Sequence, residues 1–415
     1  MPSDKLKSSL PPARLAKPTI PVFKPLLETE EEQAAQAAIK LGWLGMGSYV
    51  NEFEQALSQF LALKEQALVC VNTGHSAIHL ALKIAGVGPG DEVITPSFNC
   101  VSDLQAISTV GAKIVFCDVR DDNLTIDCDS AEALITKKTK AIIAIDYAAS
   151  LCDHQRLNQL KTRYRLRIIH DACHSFGSRD GDKKVGVLSD ITVFSFDPVK
   201  TITSLDGGAL IVPRSEDKQR LQSLRLLGMT QASETMYQNQ RAWGFNVYEE
   251  GYRYHLINLH AAVGLTQLKK IDSIGERRRQ YCQYYLDKLQ SVAGLRLPQI
   301  DLTQIIPFLF VVRVAASIRT PLREFLAAQG IETGIHWPAG HSFEYFQPWV
   351  NKTTCLTVSD QAQHEILTLP LHSNMSEDSL AHITDSLIAF FNQADHQTKK
   401  LAAEAIGDFN SKTTC

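Results

Sequence analysis

The amino-acid sequence predicts an α/β protein, with a large domain on a mostly parallel seven-stranded sheet followed by a smaller C-terminal α+β domain. Three observations predict it. Seven short runs rich in Val and Ile occupy residues 67–71, 92–95, 113–117, 141–145, 167–170, 191–196 and 208–212. Most are unbroken rather than alternating, as strands covered on both faces are. The first six are separated by 15 to 25 residues, room for crossover helices between parallel neighbours. Only 11 residues without helical periodicity, 197–207, separate the sixth run from the seventh, which suits an antiparallel neighbour.

The other elements follow in chain order. Residues 1–18 hold Ser, Lys and four prolines and read as a flexible leader. A helix is expected over 30–41, with Thr29 and Glu32 spaced as a capping box, ending in the glycine-rich segment 42–47. A second helix over 50–61 spaces Phe53, Leu57 and Phe60 about one turn apart. After the seventh strand a helix is expected over 215–227. Residues 228–250 form a long polar stretch with three Gln and two Asn, a loop of the kind that is functional or mobile. One long helical run follows over 258–291. The remainder mixes a strand over 307–314 with helices over 321–329 and 376–392. The resulting boundaries are a large domain over 19–290, a small domain over 291–397 and a tail over 398–415.

Composition excludes several classes. The chain has 415 residues, with 42 Lys and Arg against 45 Asp and Glu, a net charge of −3. That is not the strongly basic footprint of a nucleic-acid binder. With 44% hydrophobic and 21% charged residues it is of ordinary globular composition. No stretch approaches the ~20 apolar residues of a membrane span, and the N-terminus lacks the apolar core of a signal peptide. The nine cysteines are scattered without C-x-x-C spacing. They predict neither a metal site nor a disulfide framework, but reduced thiols in a cytoplasmic protein.

Three segments carry chemistry. Thr73-Gly74-His75-Ser76-Ala77 directly follows the first strand and opens a helix. Free N–H groups and the positive dipole end make such a start either an anion site or simply a well-capped helix. Asp171 closes the fifth strand, where open α/β sheets place their ligands. A buried carboxylate there needs a donor such as a protonated pyridine nitrogen, or else caps the next helix. Lys200 lies 29 residues further on, after the sixth strand, whose end also holds Ser195. A lysine among cofactor atoms can form a Schiff base, whereas a lone loop lysine is surface charge.

Together these segments resemble the DegT/DnrJ/EryC1/StrS family of pyridoxal 5′-phosphate (PLP)-dependent sugar aminotransferases, from about Ile20 to Phe391. The resemblance runs through Gly42-Trp43-Leu44, Thr73-Gly74-His75-Ser76-Ala77, Asp171-Ala172, Phe194-Ser195-Phe196, Lys200, Gly207-Gly208, Gly251-Tyr252, His336 and Leu369-Pro370-Leu371. It implies a fold-type I PLP-dependent transferase working as a homodimer with shared active sites. Lys200 matches the Schiff-base lysine. Asp171 matches the carboxylate that keeps the pyridine nitrogen protonated, and His174 the neighbour of the phenolic oxygen. Gly74, His75, Ser76 and Ser195 match the phosphate site. Four positions depart from the family. Cys100 stands where an aromatic commonly stacks on the cofactor, a role Phe98 could take up from nearby. Arg253 replaces an Asn that reaches the partner subunit's phosphate, and His255 replaces the following Arg. Asp197 adds a carboxylate near Lys200, expected to raise its pKa.

The implied reaction moves an amino group from an amino acid, L-glutamate foremost, to a keto-sugar on a nucleoside diphosphate, at C4 or C3. Trp43, Tyr147, His336 and His341 are candidate substrate contacts, with Asp153 a weaker one. Lys269, Lys270 and Arg277–Arg279 read as a solvated basic face or as a nucleotide contact. Rival readings are a keto-inositol aminotransferase and a sensory protein that binds PLP or sugar without turnover. Family members that are dehydratases carry His at the lysine position, and Lys200 argues against that activity.

Overall fold

The computed structural model describes residues 19–393 other than 231, 242, 352 and 353. The leader expected over 1–18 and the tail over 398–415 lie outside the described residues. Seven strands form the central sheet: β1 (Ala67–Val71), β2 (Glu92–Pro96), β3 (Lys113–Cys117), β4 (Thr139–Ile145), β5 (Arg167–Asp171), β6 (Ile191–Ser195) and β7 (Gly208–Val212). Their spatial order is β1-β7-β6-β5-β4-β2-β3. β7 pairs antiparallel with both β1 and β6, and the other neighbours are parallel. The short 197–207 link thus leads into a reversed strand, as expected.

The side chains explain why these runs are strands. Val69, Val71, Val93, Ile143, Ile169, Val193 and Leu210 enter the core on one face of the sheet. Leu68, Cys70, Phe194, Ala209 and Ile211 enter the core on the other, and Ile142, Ala144 and Ile168 join a further cluster there. Successive residues alternate faces with the period of a strand, and both faces are apolar because helices cover both. Each large apolar side chain so buried contributes about 1.5–3 kcal/mol.

The helices are α1 (Thr29–Lys40), α2 (Ser48–Phe60), α3 (Gly74–Ile84), α4 (Val101–Thr109), α5 (Cys128–Ala133), α6 (His154–Tyr164), α7 (Ser215–Leu224), α8 (Ala232–Tyr237), α9 (Asn258–Lys269), α10 (Ile271–Leu289), α11 (Ala316–Ala328), α12 (Thr357–Glu365) and α13 (Glu377–Gln393). The first four crossovers contain α3 to α6. The fifth does not follow the expectation, since residues 172–190 run through turns and a two-residue hairpin, 179–180 with 183–184. The stretch read as a loop over 228–250 contains α8. The long run over 258–291 is two helices that break at Lys270. The capping box of α1 sits one residue early, with the Glu28 N–H donating to the Glu31 carboxylate at 2.8 Å.

The basic cluster on these helices is a solvated face only in part, with Lys269 and Arg277 exposed. Lys270 is held by Glu28, Glu30 and Glu31 at 2.9, 3.1 and 3.0 Å. Arg278 is buried, and its Nη1 donates to the carbonyls of Pro307, Phe308 and Leu371. A second buried cation, Arg225, bonds Glu54 and the Cys70 carbonyl at 2.6 Å each, and the Tyr237 hydroxyl donates to the other Glu54 oxygen at 2.6 Å. This network ties α2 and α8 to β1.

The smaller unit has an antiparallel pair, β8 (Phe310–Arg313) and β9 (Ile366–Leu369). Its core joins Tyr285, Phe310, Val312, Leu326, Leu367 and Leu387. α10 serves both units, with Ile271 and Ile274 in the large core and Cys282, Tyr285 and Leu289 in the small one. The chain start also crosses over, because Ile20 bridges Ile331. No helix among the described residues is long and apolar enough to cross a membrane.

Candidate active site

The carboxyl ends of β2, β5 and β6, with the start of the reversed β7, border the crevice that an open α/β sheet leaves for a ligand. A cavity of about 510 Å³ lies there, lined among others by Thr73, Gly74, His75, Cys100, Asp103, Asp171, His174, Ser195, Lys200, Phe308, His336 and Trp337. A second depression of about 670 Å³ lies over α6, and none of the candidate site residues lines it.

One end of the cavity is rich in donors. Thr73 caps α3, its hydroxyl oxygen accepting from the Ser76 N–H at 3.0 Å. The N–H groups of Gly74 and His75 then have no acceptor within the helix and stand at its positive end. Glycine is required here for close approach. A Cβ on Gly74 would lie 2.8 Å from Ser195 Cβ, and one on Gly208 would lie 2.4 Å from the Thr73 carbonyl oxygen. The helix start therefore rests directly on the ends of β6 and β7, which puts Ser195 beside it. His75 is steadied through Nδ1, 3.2 Å from both the carbonyl and the hydroxyl of Ser102.

The floor carries acid. Asp171, almost fully buried, accepts from the Cys173 N–H at 2.9 Å. Its backbone carbonyl takes the Asp146 N–H at 3.0 Å. Asp146 in turn accepts from His170 Nε2 and Ser175 Oγ, both at 2.6 Å, and from the Cys152 N–H at 2.8 Å. This buried network fixes the strand end that presents Asp171.

The remaining walls are aromatic and neutral. Lys200 Nζ lies 4.6 Å from the centroid of the Phe308 ring. The His174 and Trp337 rings stack at 5.1 Å. Burial, helped by the nearby Lys200 charge, holds His174 well below the usual histidine range, so its ring is neutral. The Ala148 N–H donates to His174 Nδ1 at 3.3 Å, which leaves the proton on Nε2 as a donor. Burial first and Lys200 second bring His336 down to about 4. Burial pushes the Cys100 thiol up to about 11, so it stays a neutral, inert group.

The structure thus brings together Gly74, His75, Cys100, Asp171, His174, Ser195, Lys200 and His336. Other predicted site residues stand outside the lining. Ser76 builds the cap, donating from Oγ to Asn72 Oδ1 at 2.7 Å. Tyr147 stands behind the wall and donates its hydroxyl to the His336 carbonyl at 2.5 Å. His341 is held between Ser97 and Asp360, at 2.6 and 2.8 Å. Trp43 spends its N–H on the Met46 carbonyl. Asp153 caps α6. Arg253 is exposed, away from the cavity of its own chain. Phe98 does not replace the missing aromatic; it is fully buried against Tyr147, with ring centroids at 5.2 Å. Asp197, by contrast, does line the cavity beside Lys200, but its carboxylate accepts the Val199 N–H at 3.0 Å and makes no ion pair with Lys200. Sequence reading missed Asp103, Phe308 and Trp337. Trp337 had a signal in its neighbour His336, and Asp103 in its spacing of four from Asn99, just before the helix.

The donor set fits pyridoxal phosphate. A helix N-terminus with Ser195 suits a phosphate, a buried carboxylate suits a pyridinium, and Lys200 suits an aldehyde. Comparison with known proteins agrees. Residues 25–388 match the model of the DegT/DnrJ/EryC1/StrS aminotransferase family. The chain is 30% identical over 383 residues to the spore coat polysaccharide biosynthesis protein SpsC of Bacillus subtilis, covering 91% of this chain and 98% of the relative. The crystal structure of the aminotransferase TlmJ from Streptoalloteichus hindustanus is similar, with a TM-score of 0.82 at 28% identity over 89% of this chain and 98% of that one. So is the PLP form of the putative sugar aminotransferase Spr1654 from Streptococcus pneumoniae, with a TM-score of 0.83 at 25% identity over 90% and 99%. With the family matched over residues 25–388 and Lys200 and Asp171 lining one cavity, this protein belongs to the DegT/DnrJ/EryC1/StrS aminotransferase family and is a PLP-dependent transaminase.

Proposed function

We propose that the protein transfers the amino group of an amino acid, L-glutamate, to the ketone of a sugar carried on a nucleoside diphosphate, at C4 or C3. The observation that carries the reading is the convergence of Lys200, Asp171 and the α3 N-terminus on one cavity. The sugar class is supported by what two relatives are called: a spore coat polysaccharide biosynthesis protein and a putative sugar aminotransferase.

The residues divide the work. The N–H groups of Gly74 and His75, with Ser195 Oγ, hold the phosphate. Asp171 accepts the ring N–H. His174 donates from Nε2 to the phenolic oxygen, and its neutrality suits a donor that must not compete for the ring's proton. When bound, the cofactor supplies an aldehyde that accepts the amino group and a ring that takes up an electron pair. Lys200 Nζ, as a free amine, takes the proton from Cα of the amino donor and in the second half delivers one to the sugar carbon. Phe308, Trp337 and His174 keep water from that amine. Cys100 in the aromatic's place gives less contact over the ring, so the phosphate and carboxylate contacts carry more of the affinity.

We further infer a cytoplasmic homodimer in which Arg253 reaches the partner's phosphate site. Arg253 is exposed in the single chain, and the segment before it exposes Trp243 at 85% and Tyr248 at 80%, beside Phe245 and Val247. Apolar side chains so exposed on one segment mark a covered surface. The test of function is a panel of ketones offered to the aminated enzyme, with the amine product read by mass spectrometry. Amination of a nucleoside-diphosphate keto-hexose supports the reading, and turnover of a free keto-inositol alone overturns it.

A further inference from the structure

Asp103 and Asp171 line the same cavity, at 1% and 3% exposure, near enough for the Asp171 charge to act on the Asp103 carboxyl. Among the described residues no Lys, Arg or His nitrogen lies within ion-pair distance of either carboxyl. Two carboxylates cannot share such a place, so one of them holds a proton. The surroundings decide which. Asp171 Oδ1 already accepts the Cys173 N–H at 2.9 Å. Asp103 accepts only from Asn99 Nδ2, at 3.0 Å. Asn99 is itself fixed, fully buried, with Nδ2 on Thr95 Oγ1 at 3.0 Å and Oδ1 on the Cys100 N–H at 2.6 Å. Burial and the neighbouring Asp171 charge both push the Asp103 carboxyl well above the usual carboxylate range. The other titratable groups facing the pair are Cys100 and Cys173, thiols raised by burial, and Lys200.

We propose that Asp103 is a positioning residue for the cofactor: as a neutral acid it donates a hydrogen bond to Asp171, holding that carboxylate in one orientation and keeping it ionised to receive the ring N–H of pyridoxal phosphate. A carboxylate fixed only by one backbone N–H would be free to rotate about its side-chain bonds. The Asn99-to-Asp103 contact passes the rigidity of β2 and α4 to Asp171 on β5. The arrangement also explains how a second carboxyl is tolerated in this place.

The proposal rests on the assignment of Asp171 to the ring nitrogen, and its test has two separable arms. The first is infrared spectroscopy of cofactor-free protein near neutral pH. The wild type is expected to show a protonated carboxylic C=O band that is missing in Asp103→Asn. An unchanged spectrum in Asp103→Asn overturns the neutral acid. The second arm is cofactor dissociation measured by dialysis. Asp103→Ala, which removes a hydrogen bond to a charged acceptor, is expected to weaken binding about tenfold or more, whereas Asp103→Asn keeps a donor and stays within about threefold of wild type. Equal affinity in all three proteins, or equal loss in both variants, overturns the positioning role. If Asp103→Ala does not fold, the Asp103→Asn protein alone decides both arms: loss of the band with retained affinity supports the proposal, and either opposite result refutes it.

Discussion

Gly208→Ala is the sharpest probe of the phosphate end. Its Cβ would stand 2.4 Å from the Thr73 oxygen, 2.7 Å from the Thr73 carbonyl carbon and 3.0 Å from the Gly74 nitrogen. All three are backbone atoms, so no rotamer change relieves the clash. The start of α3 must retreat by about 1 Å to regain ordinary contact. Overpacking of this kind costs about 1–3 kcal/mol of stability. The larger effect falls on the ligand. The N–H groups of Gly74 and His75 move away from the phosphate, and hydrogen bonds to a charged partner contribute about 1.5–3 kcal/mol each. Loss of two such bonds predicts cofactor affinity lower by about 10² to 10⁴. Equilibrium dialysis with pyridoxal phosphate measures it, and Gly88→Ala, where an added Cβ meets nothing within 4 Å, is the control. Binding by Gly208→Ala within about threefold of wild type would refute the placement of the phosphate at this helix.

Other outcomes follow from the same structure. Glu54→Ala strands the fully buried Arg225 charge and is expected to cost about 3–5 kcal/mol in denaturant titration, whereas a surface pair such as Arg120–Asp122 costs at most about 1 kcal/mol when broken. Burial holds His79, His255, His336 and His372 down at about 4 in the fold against an ordinary 6.5. Between pH 6.5 and 4 the unfolded chain therefore binds more protons than the fold, so stability is full above 6.5 and falls as pH drops toward 4. Thermal melts across that window check the slope, which His79→Asn should reduce. Mixing Lys200→Ala with Arg253→Ala subunits, each inactive alone, is expected to restore about a quarter of the sites if Arg253 acts across a two-fold dimer, and none if it acts within its own chain.

The sheet was largely legible because its strands are short, apolar and evenly spaced. Residues 67–71, 113–117 and 208–212 are strands with the bounds that their composition suggests. The reversed β7 was readable from the shortness of one link. What escaped depends on packing between distant parts. Nothing local shows that Arg278 turns inward to three carbonyls, or that a helix stops at Lys270 where three glutamates hold its side chain. In the site, Lys200, Asp171 and the α3 start were readable because each sits at a strand end where the fold brings ligands. Phe308 and Trp337 arrive from the smaller unit, and their place over the cavity is set by how the two units pack. Asp103 reads as an ordinary first-turn acid until its neighbour across the sheet is known.

We propose above that Lys200 and the cofactor carry amino transfer. The most direct measurement is the absorbance spectrum of the purified, cofactor-loaded protein before and after L-glutamate, in wild type and Lys200→Ala. Conversion of the aldehyde-form band to the amine-form band in wild type, at a rate lowered by several orders of magnitude in Lys200→Ala, is the predicted result. Conversion at an equal rate in the variant, or no cofactor band in the wild type, would contradict it.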